Sequence, residues 1–225
     1  MKVLVSWSSG KDSAWMLHQL RQQGCLDGAA LLTTINETAN RVAMHGVRRT
    51  LLEAQAAAAG LPLRVISLPH PCSNDVYEAR MRSAVDQAVA DGFTVAAFGD
   101  LFLEDVRQYR ERQLAGTGLT PLFPLWKRDT AALAREIVAA GVKATVTCVD
   151  PRVLDHRFAG RPFDAAFLDE LPPGVDPCGE RGEFHTVVTA GPMFAREIAV
   201  RSGIILEREG FVFADVLCDE LDADF

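Results

Sequence analysis

Several things are scarce in this sequence, and each scarcity excludes something. No run of about 18 uninterrupted apolar residues occurs in the 225-residue chain, so none of it reads as a membrane-spanning helix. The opening Met1-Lys2-Val3-Leu4-Val5 turns polar at Ser6, too early for the apolar centre of a secretory signal. A cytoplasmic protein is therefore expected. The five cysteines (Cys25, Cys72, Cys148, Cys178, Cys218) are odd in number and scattered, with no Cys-x-x-Cys pair among them. That speaks against a zinc site or a dithiol redox centre and for reduced thiols. Positive charge is short as well: 23 Lys and Arg against 30 Asp and Glu give a formal net charge of -7. A nucleic-acid partner is disfavoured, because phosphate backbones reward a Lys/Arg surplus, although Arg48-Arg49 and Arg107 to Arg112 supply local basic faces. Internal repeats and low-complexity segments are absent.

What remains is an ordinary globular composition, long enough for one large domain or one domain with a small appendage. The first two thirds alternate short apolar runs with segments of helical period. Strands are expected at Val3 to Trp7, Ala29 to Ile35, Leu63 to Leu68, Phe93 to Phe98 and Ala144 to Val149. Between them fall helices marked by Met16, Leu17 and Leu20, by Val47, Leu51, Ala54 and Ala58, and by Tyr77, Met81, Ala84, Val85 and Ala88. Two more run from about Leu103 to Leu114 and through Leu133, Ala134, Ile137 and Val138. Such alternation predicts an α/β fold, a Rossmann-like open parallel sheet with helices on both faces. From about Asp150 the pattern becomes irregular. Residues 1–150 are expected to form the main domain and residues 151–225 a smaller α+β lobe. That lobe ends in a hairpin of Ile204 to Glu207 and Phe211 to Val216 and an acidic, frayed tail from Asp219 to Asp224.

The most informative residues are Ser8-Ser9-Gly10-Lys11-Asp12-Ser13, set between the first strand and the first helix. Ligands of open parallel sheets sit beyond the carboxyl ends of the strands. A helix opening at Ser13 would offer free N–H groups and a positive dipole end to an anion. Gly10 permits close backbone approach, Ser8, Ser9 and Ser13 add hydroxyls, and Lys11 adds charge. Asp12 among so many donors suits a divalent metal riding on phosphates. The competing explanation is a polar turn that caps the helix with Ser and Asp. The Gly-x-x-x-x-Gly-Lys-Ser/Thr spacing of a Walker loop is missing.

This loop resembles the Ser-Gly-Gly-Lys-Asp-Ser signature of the N-type ATP pyrophosphatases. Over residues 4 to about 190 the chain resembles, more narrowly, the diphthine–ammonia ligase family. The landmarks are Met44-His45-Gly46, Gly99-Asp100, Pro124-Leu125-Trp126 with Asp129, and the run Asp176-Pro177-Cys178-Gly179-Glu180-Arg181-Gly182-Glu183-Phe184-His185-Thr186. Two departures stand out: Ser9 where glycine is usual, and Arg181 where asparagine is common. The resemblance implies ATP and Mg2+, with nucleotide contacts from the loop, Thr34, His45, Gly99 and Asp100, and with metal contacts from Asp12 and Asp100. It also implies a second-substrate site at Gly179, Glu180, Arg181, Gly182, Glu183 and His185. Lys11, Asp12, Glu183 and His185 are the expected catalytic residues. If residues 183–188 are extended, Glu183 and His185 share a face, and His185 or a Glu could take a proton from an attacking amine.

Plainer roles compete at each of these positions. Asp100 could cap the next helix, His45 could be a capping or surface residue, and residues 179–186 could be a solvated loop with a local Arg–Glu pair. Cys148 and Cys178 read as buried thiols, Phe184 as packing, Trp126 as a loop anchor and Asp129 as a helix cap. The chemistry the resemblance implies is adenylation of a carboxylate with release of pyrophosphate, followed by amide formation with ammonia or an amine. In that family the carboxylate belongs to a modified histidine of translation elongation factor 2; here a small-molecule or other protein carboxylate is equally open, as is a homodimer. A tRNA-modifying enzyme and a nucleotide sensor without turnover are the rivals.

Overall fold

A computed structural model describes residues 1–42, 44–219 and 221–222. The elements in chain order are β1 (Val3–Ser6), α1 (Lys11–Gln22), β2 (Ala30–Asn36), β3 (Arg41–Val42), α2 (Arg49–Ala59), β4 (Leu63–Leu68), α3 (Asn74–Ala90), β5 (Val95–Ala97), α4 (Glu104–Leu114), β6 (Thr120–Leu122), α5 (Thr130–Ala139), β7 (Lys143–Val149), α6 (Ala165–Asp169), β8 (Phe184–Ala190), β9 (Val200–Arg208) and β10 (Phe211–Cys218). Strands β4, β2, β1, β5 and β6 are parallel neighbours in that order. The α/β expectation holds. Strand β2 pairs with β4 from Leu31 to Asn36, and with β1 only from Ala30 to Leu32. Its other edge is therefore open beyond Ser6, and the short antiparallel β3 takes it, pairing with Ile35 and Asn36. That places the turn after β3 above the C-terminal end of β1.

One strand falls in a different sheet from the one expected. Lys143–Val149 belongs to a second, wholly antiparallel sheet, in the order β8-β7-β10-β9. The fifth parallel strand is instead Thr120–Leu122, three residues with Pro121 at their centre. A proline is tolerated on an edge strand, where no neighbour needs its missing N–H. So short a segment shows no apolar run to read. The expected hairpin is present and longer than its apolar stretch, turning at Glu209 and Gly210, both with positive φ.

Alternation along β1 sorts two cores. Val3 and Val5 face a large one that α1, α2 and α5 share with the second sheet, including Phe158, Phe163, Phe167 and Phe184. Leu4 faces a thin one with Ala88, Phe93 and Leu114. Within α3 only Val85 and Ala88 are buried. The tail is not frayed at Asp222, whose carboxylate accepts from the Cys218 N–H (2.9 Å) and the Thr50 hydroxyl (3.1 Å). Glu220, Ala223 and Asp224 lie outside the described residues.

Candidate active site

The turn from β1 into α1 is closed by its own serines. The Ser13 hydroxyl donates to the Gly10 carbonyl (2.9 Å) and lies 3.2 Å from the Ser8 hydroxyl. Helix α1 starts at Lys11, two residues earlier than expected, and its N-terminus has no side-chain cap. None of the nearby Ser or Asp side chains fills the usual capping role, so the first-turn N–H groups that follow that of Lys11, which meets the Thr186 hydroxyl, are left without a cap. Gly10 is needed for contact: a Cβ there would sit 2.8 Å from His45 Cε1 and 3.2 Å from the Thr186 carbonyl. Gly99 likewise lies against the backbone of Asp12 and Ser13. Ser9 is fully buried at φ +72°, the left-handed region where glycine is favoured, and its hydroxyl has no partner.

Strand β8 grips this turn from the second sheet. The Lys11 N–H donates to the Thr186 hydroxyl (3.1 Å), and the Val188 N–H donates to the Ser9 carbonyl (3.0 Å). Gln55 of α2 locks the joint. Its amide nitrogen donates to the carbonyls of Ser9 (3.0 Å) and Val188 (2.7 Å), and its oxygen accepts from Trp7 Nε1.

The Lys11 side chain is buried. Its ammonium donates to Asp12 Oδ2 (2.9 Å) and to the Cys178 carbonyl, over the rings of Phe163 and Phe184. Burial pushes its pKa down, but Asp12, Cys178 and Glu180 outweigh that and the net direction is up, so Lys11 stays charged. Asp12 is pushed up by burial, with Asp176 adding to it, and its Oδ1 is buried without a partner. A cation beside that oxygen would relieve both conditions.

His45, from the turn above β1, lies against His185 with ring centroids 4.5 Å apart and planes tilted by 40°. Its Nδ1 lies 3.1 Å from the Thr186 carbonyl. A carbonyl only accepts, so Nδ1 carries the hydrogen and Nε2 is left as an acceptor. Burial lowers the His45 pKa to about 4 and drives His185 well below its ordinary value, with His45 and Lys11 contributing. Both imidazoles are neutral near pH 7, and His185 Nε2 is buried without a partner. Such a group is a weak proton acceptor and a good neutral hydrogen-bonding surface.

The loop from Asp176 to Glu183 divides its charges. Asp176 ties it down by accepting from the Cys178 N–H (2.9 Å) and the Thr130 hydroxyl (2.8 Å). Glu183 is a second tie: one oxygen accepts from the Asp176 N–H and the other from the Arg181 N–H, both at 3.0 Å. It is buried and does not line the cavity. Arg181 points out, its side chain 59% exposed, over the Phe102 ring. Gly179, at φ +68°, has the Phe184 carbonyl where a Cβ would go, and Gly182 takes a second positive φ. These two bends bring Glu180 inward, where it accepts from the Leu101 N–H (2.7 Å). Burial raises the Glu180 pKa to about 7, with Asp12 and Asp100 adding to the rise.

Ser8, Lys11, Asp12, Ser13, His45, Gly99, Asp100, Cys178, Gly179, Glu180, His185 and Thr186 line one cavity of about 250 Å³. Thr34 lies next door, with Trp7, Leu32, Thr33, Tyr77 and Phe98, around a more apolar cavity of about 200 Å³; Ser6, Ser8 and Arg110 line both. Asp100 does not cap α4, whose N-cap is Leu103. Both its oxygens are forked by Arg110 (2.6 and 3.1 Å), whose guanidinium lies over Phe98. Arg110 and Gln55 were not singled out from the sequence. Gln55 had a signal, a lone amide on the buried Leu51–Ala58 stripe; Arg110 lay hidden in a run of charged residues. Asp129 does cap α5, accepting from the Ala132 N–H (2.8 Å). Cys148 and Cys178 are buried thiols with pKa pushed up by that burial, the first to about 12.

Among the described residues no cluster of three or more His, Cys, Asp or Glu could cage a metal. Magnesium on phosphates needs only one or two carboxylates, and Asp12, with its orphaned oxygen, fits that role. Asp100 fits it less directly, being engaged by Arg110.

Comparison with known proteins adds two kinds of likeness. The family model for the diphthamide synthase N-terminal domain matches residues 1–120, and that for the diphthamide synthase C-terminal domain matches residues 129–215. Diphthine–ammonia ligases from Bos taurus and Homo sapiens are each 30% identical over 148 residues, covering 63% of this chain and 54% of theirs. The one from Danio rerio is 31% identical over 132 residues, covering 56% of this chain and 50% of its own. The matched stretch thus spans about half the length of these curated relatives.

Proposed function

The chain belongs to the diphthamide synthase family, and from that premise we propose that it is an ATP-dependent ligase that adenylates a carboxylate and then forms an amide with ammonia. One observation carries the reading: the uncapped start of α1 opens on a cavity that also holds a charged Lys11, the orphaned Asp12 oxygen and an inward Glu180. Free N–H groups and a cation suit a polyphosphate, and the adjoining apolar cavity past Ser8 suits a nucleobase.

In the first step a carboxylate oxygen attacks the α-phosphorus of ATP and the bond to the bridging oxygen breaks. Pyrophosphate leaves and an acyl-adenylate remains. The α1 N–H groups and Lys11 stabilise the charge gathering on the departing pyrophosphate, preorganised and shielded from water. Magnesium, held through Asp12, would supply further neutralisation of the phosphates. In the second step ammonia attacks the acyl carbon and AMP departs. The surplus proton goes to Glu180, whose pKa near 7 suits it to the exchange. This moves the base role away from Glu183, which is occupied in the loop, and from His185, which resists protonation. His45 and His185 then serve as a neutral wall. The acceptor is a carboxylate on a protein or small molecule; the names of the relatives give diphthine and ammonia as what those proteins join.

The test is product analysis with α-labelled ATP, ammonium and candidate carboxylates. AMP and pyrophosphate should appear together with the amide, in equal amounts. ADP and phosphate as the products, or ATP bound without turnover under every substrate combination, would sink the proposal.

A further inference from the structure

Strand β9 is the outer strand of the antiparallel sheet, and among the described residues no strand pairs with its free edge. Ile204, Ile205 and Leu206 are 67%, 59% and 39% exposed there. Among the described residues the other large exposed apolar side chains are single: Met1, Met44, Val76, Val153 and Leu221. A three-residue apolar run on an unpaired nine-residue edge is a template for another strand.

The strand's own sequence says which partner fits. In an antiparallel pairing of two copies about a two-fold axis, the whole of Val200–Arg208 overlaps only when the axis passes through its central residue, Ile204. That register sets Ile204 against itself, Ser202 against Leu206, and Arg201 against Glu207 twice over. A two-fold axis must pass through a residue, because opposite residues share a face. Centring it on Gly203 sets Arg201 against Ile205, and centring it on Ile205 sets Arg201 against Glu209 of the turn. Both Arg–Glu pairs therefore fall within the strand only at Ile204. Within its own chain Arg201 also donates to Asp219 Oδ1 and to the Asp222 carbonyl, so Glu207 of the second copy would meet a guanidinium that its own chain already uses. We infer that β9 is a homodimer interface, joining the four-stranded sheets of two copies into one continuous eight-stranded sheet through an isologous β9–β9 pair centred on Ile204.

Sedimentation of the full chain over a concentration series, with two variants, tests this. The parent should sediment as a dimer. Ile204→Lys, which places two ammonium groups face to face, should be a monomer with an unchanged circular dichroism spectrum. Ile204→Cys should form an intermolecular disulfide under mild oxidation, because residues directly opposite in an antiparallel pair have Cα atoms within disulfide reach. Val200→Cys, opposite Arg208, and the parent with its native cysteines should not. A parent monomeric at every concentration, a dimer that survives Ile204→Lys, or a cross-link from Ile205→Cys in place of Ile204→Cys would each overturn the assignment. If Ile204→Lys fails to fold, the cysteine pair decides alone.

Discussion

Two loops face each other across the cavity, and they are built on different principles. The turn at residues 8–13 uses nearly every residue where it stands: hydroxyls closing it, Gly10 yielding to His45, Lys11 and Asp12 lining the cavity. The loop at residues 176–186 holds as much charge, but tertiary contacts sort it. Glu180 turns in, Glu183 is used up on backbone N–H groups, and Arg181 turns out. The first loop is local chemistry made by a helix start. The second is a folded knot whose side chains gain their roles from what they meet.

The comparison is broken most forcefully in the first loop. Lys11→Ala should cut AMP formation by about a hundredfold or more, the typical loss when one transition-state donor is removed. It also strands Asp12 without its ion partner, at a cost of about 3 kcal/mol in stability. Initial rates of labelled AMP release and a denaturant titration measure the two effects. Undiminished AMP release would mean that the turn merely starts a helix.

Next come the two glutamates three residues apart. Glu180→Gln should slow amide formation by on the order of a hundredfold, as loss of a general base does. At fixed free ammonia, the rise in rate as pH climbs through about 7 should vanish with it. A carboxyl with a raised folded pKa contributes stability that is fully present below its ordinary 4.5 and is lost as pH rises through the folded value near 7. The glutamine variant should therefore melt higher than the parent above pH 7 and lose that advantage toward pH 4.5.

Glu183→Gln should do the opposite. One carboxylate oxygen becomes an NH2 facing an N–H donor, so the knot loosens by about 1–3 kcal/mol. The rate should fall with the shape of its pH profile unchanged. If the two variants exchange these signatures, the assignment of base and tie is reversed.

How much of this was legible in advance follows the same division. Strand Leu63–Leu68 and the helix ending at Gly60 were readable because burial there follows a period and glycine takes the left-handed cap. The turn at residues 8–13 was readable because its closure is local, Ser13 bonding the Gly10 carbonyl and lying beside the Ser8 hydroxyl. The sheet to which Lys143–Val149 belongs was not, since an apolar strand carries no label for its neighbours, and three-residue Thr120–Leu122 carried almost no signal at all. Glu180 and Glu183 looked alike because only the bends at Gly179 and Gly182 separate them. The cap reading of Asp100 failed because Arg110, ten residues on in α4, forks both its oxygens, and nothing in a run of charged residues singles that arginine out.

The smallest effect sharpens the comparison from the side of the local loop. Ser9 stands at φ +72° with an unpartnered buried hydroxyl, so two separate penalties fall on one residue. Left-handed backbone costs a residue with a Cβ about 1 kcal/mol, and a buried hydroxyl without a partner adds to it. Ser9→Gly removes both and should raise stability by about 1 kcal/mol in a denaturant titration, less the extra entropy of the unfolded glycine chain. Ser9→Ala removes only the hydroxyl and keeps the strained φ, so it should recover the smaller part. If alanine matches glycine, the backbone is unstrained and the hydroxyl alone is the burden. If glycine gains stability but weakens ATP binding, the Ser9 hydroxyl is held in reserve for the phosphates, and this turn too depends on a partner from outside itself.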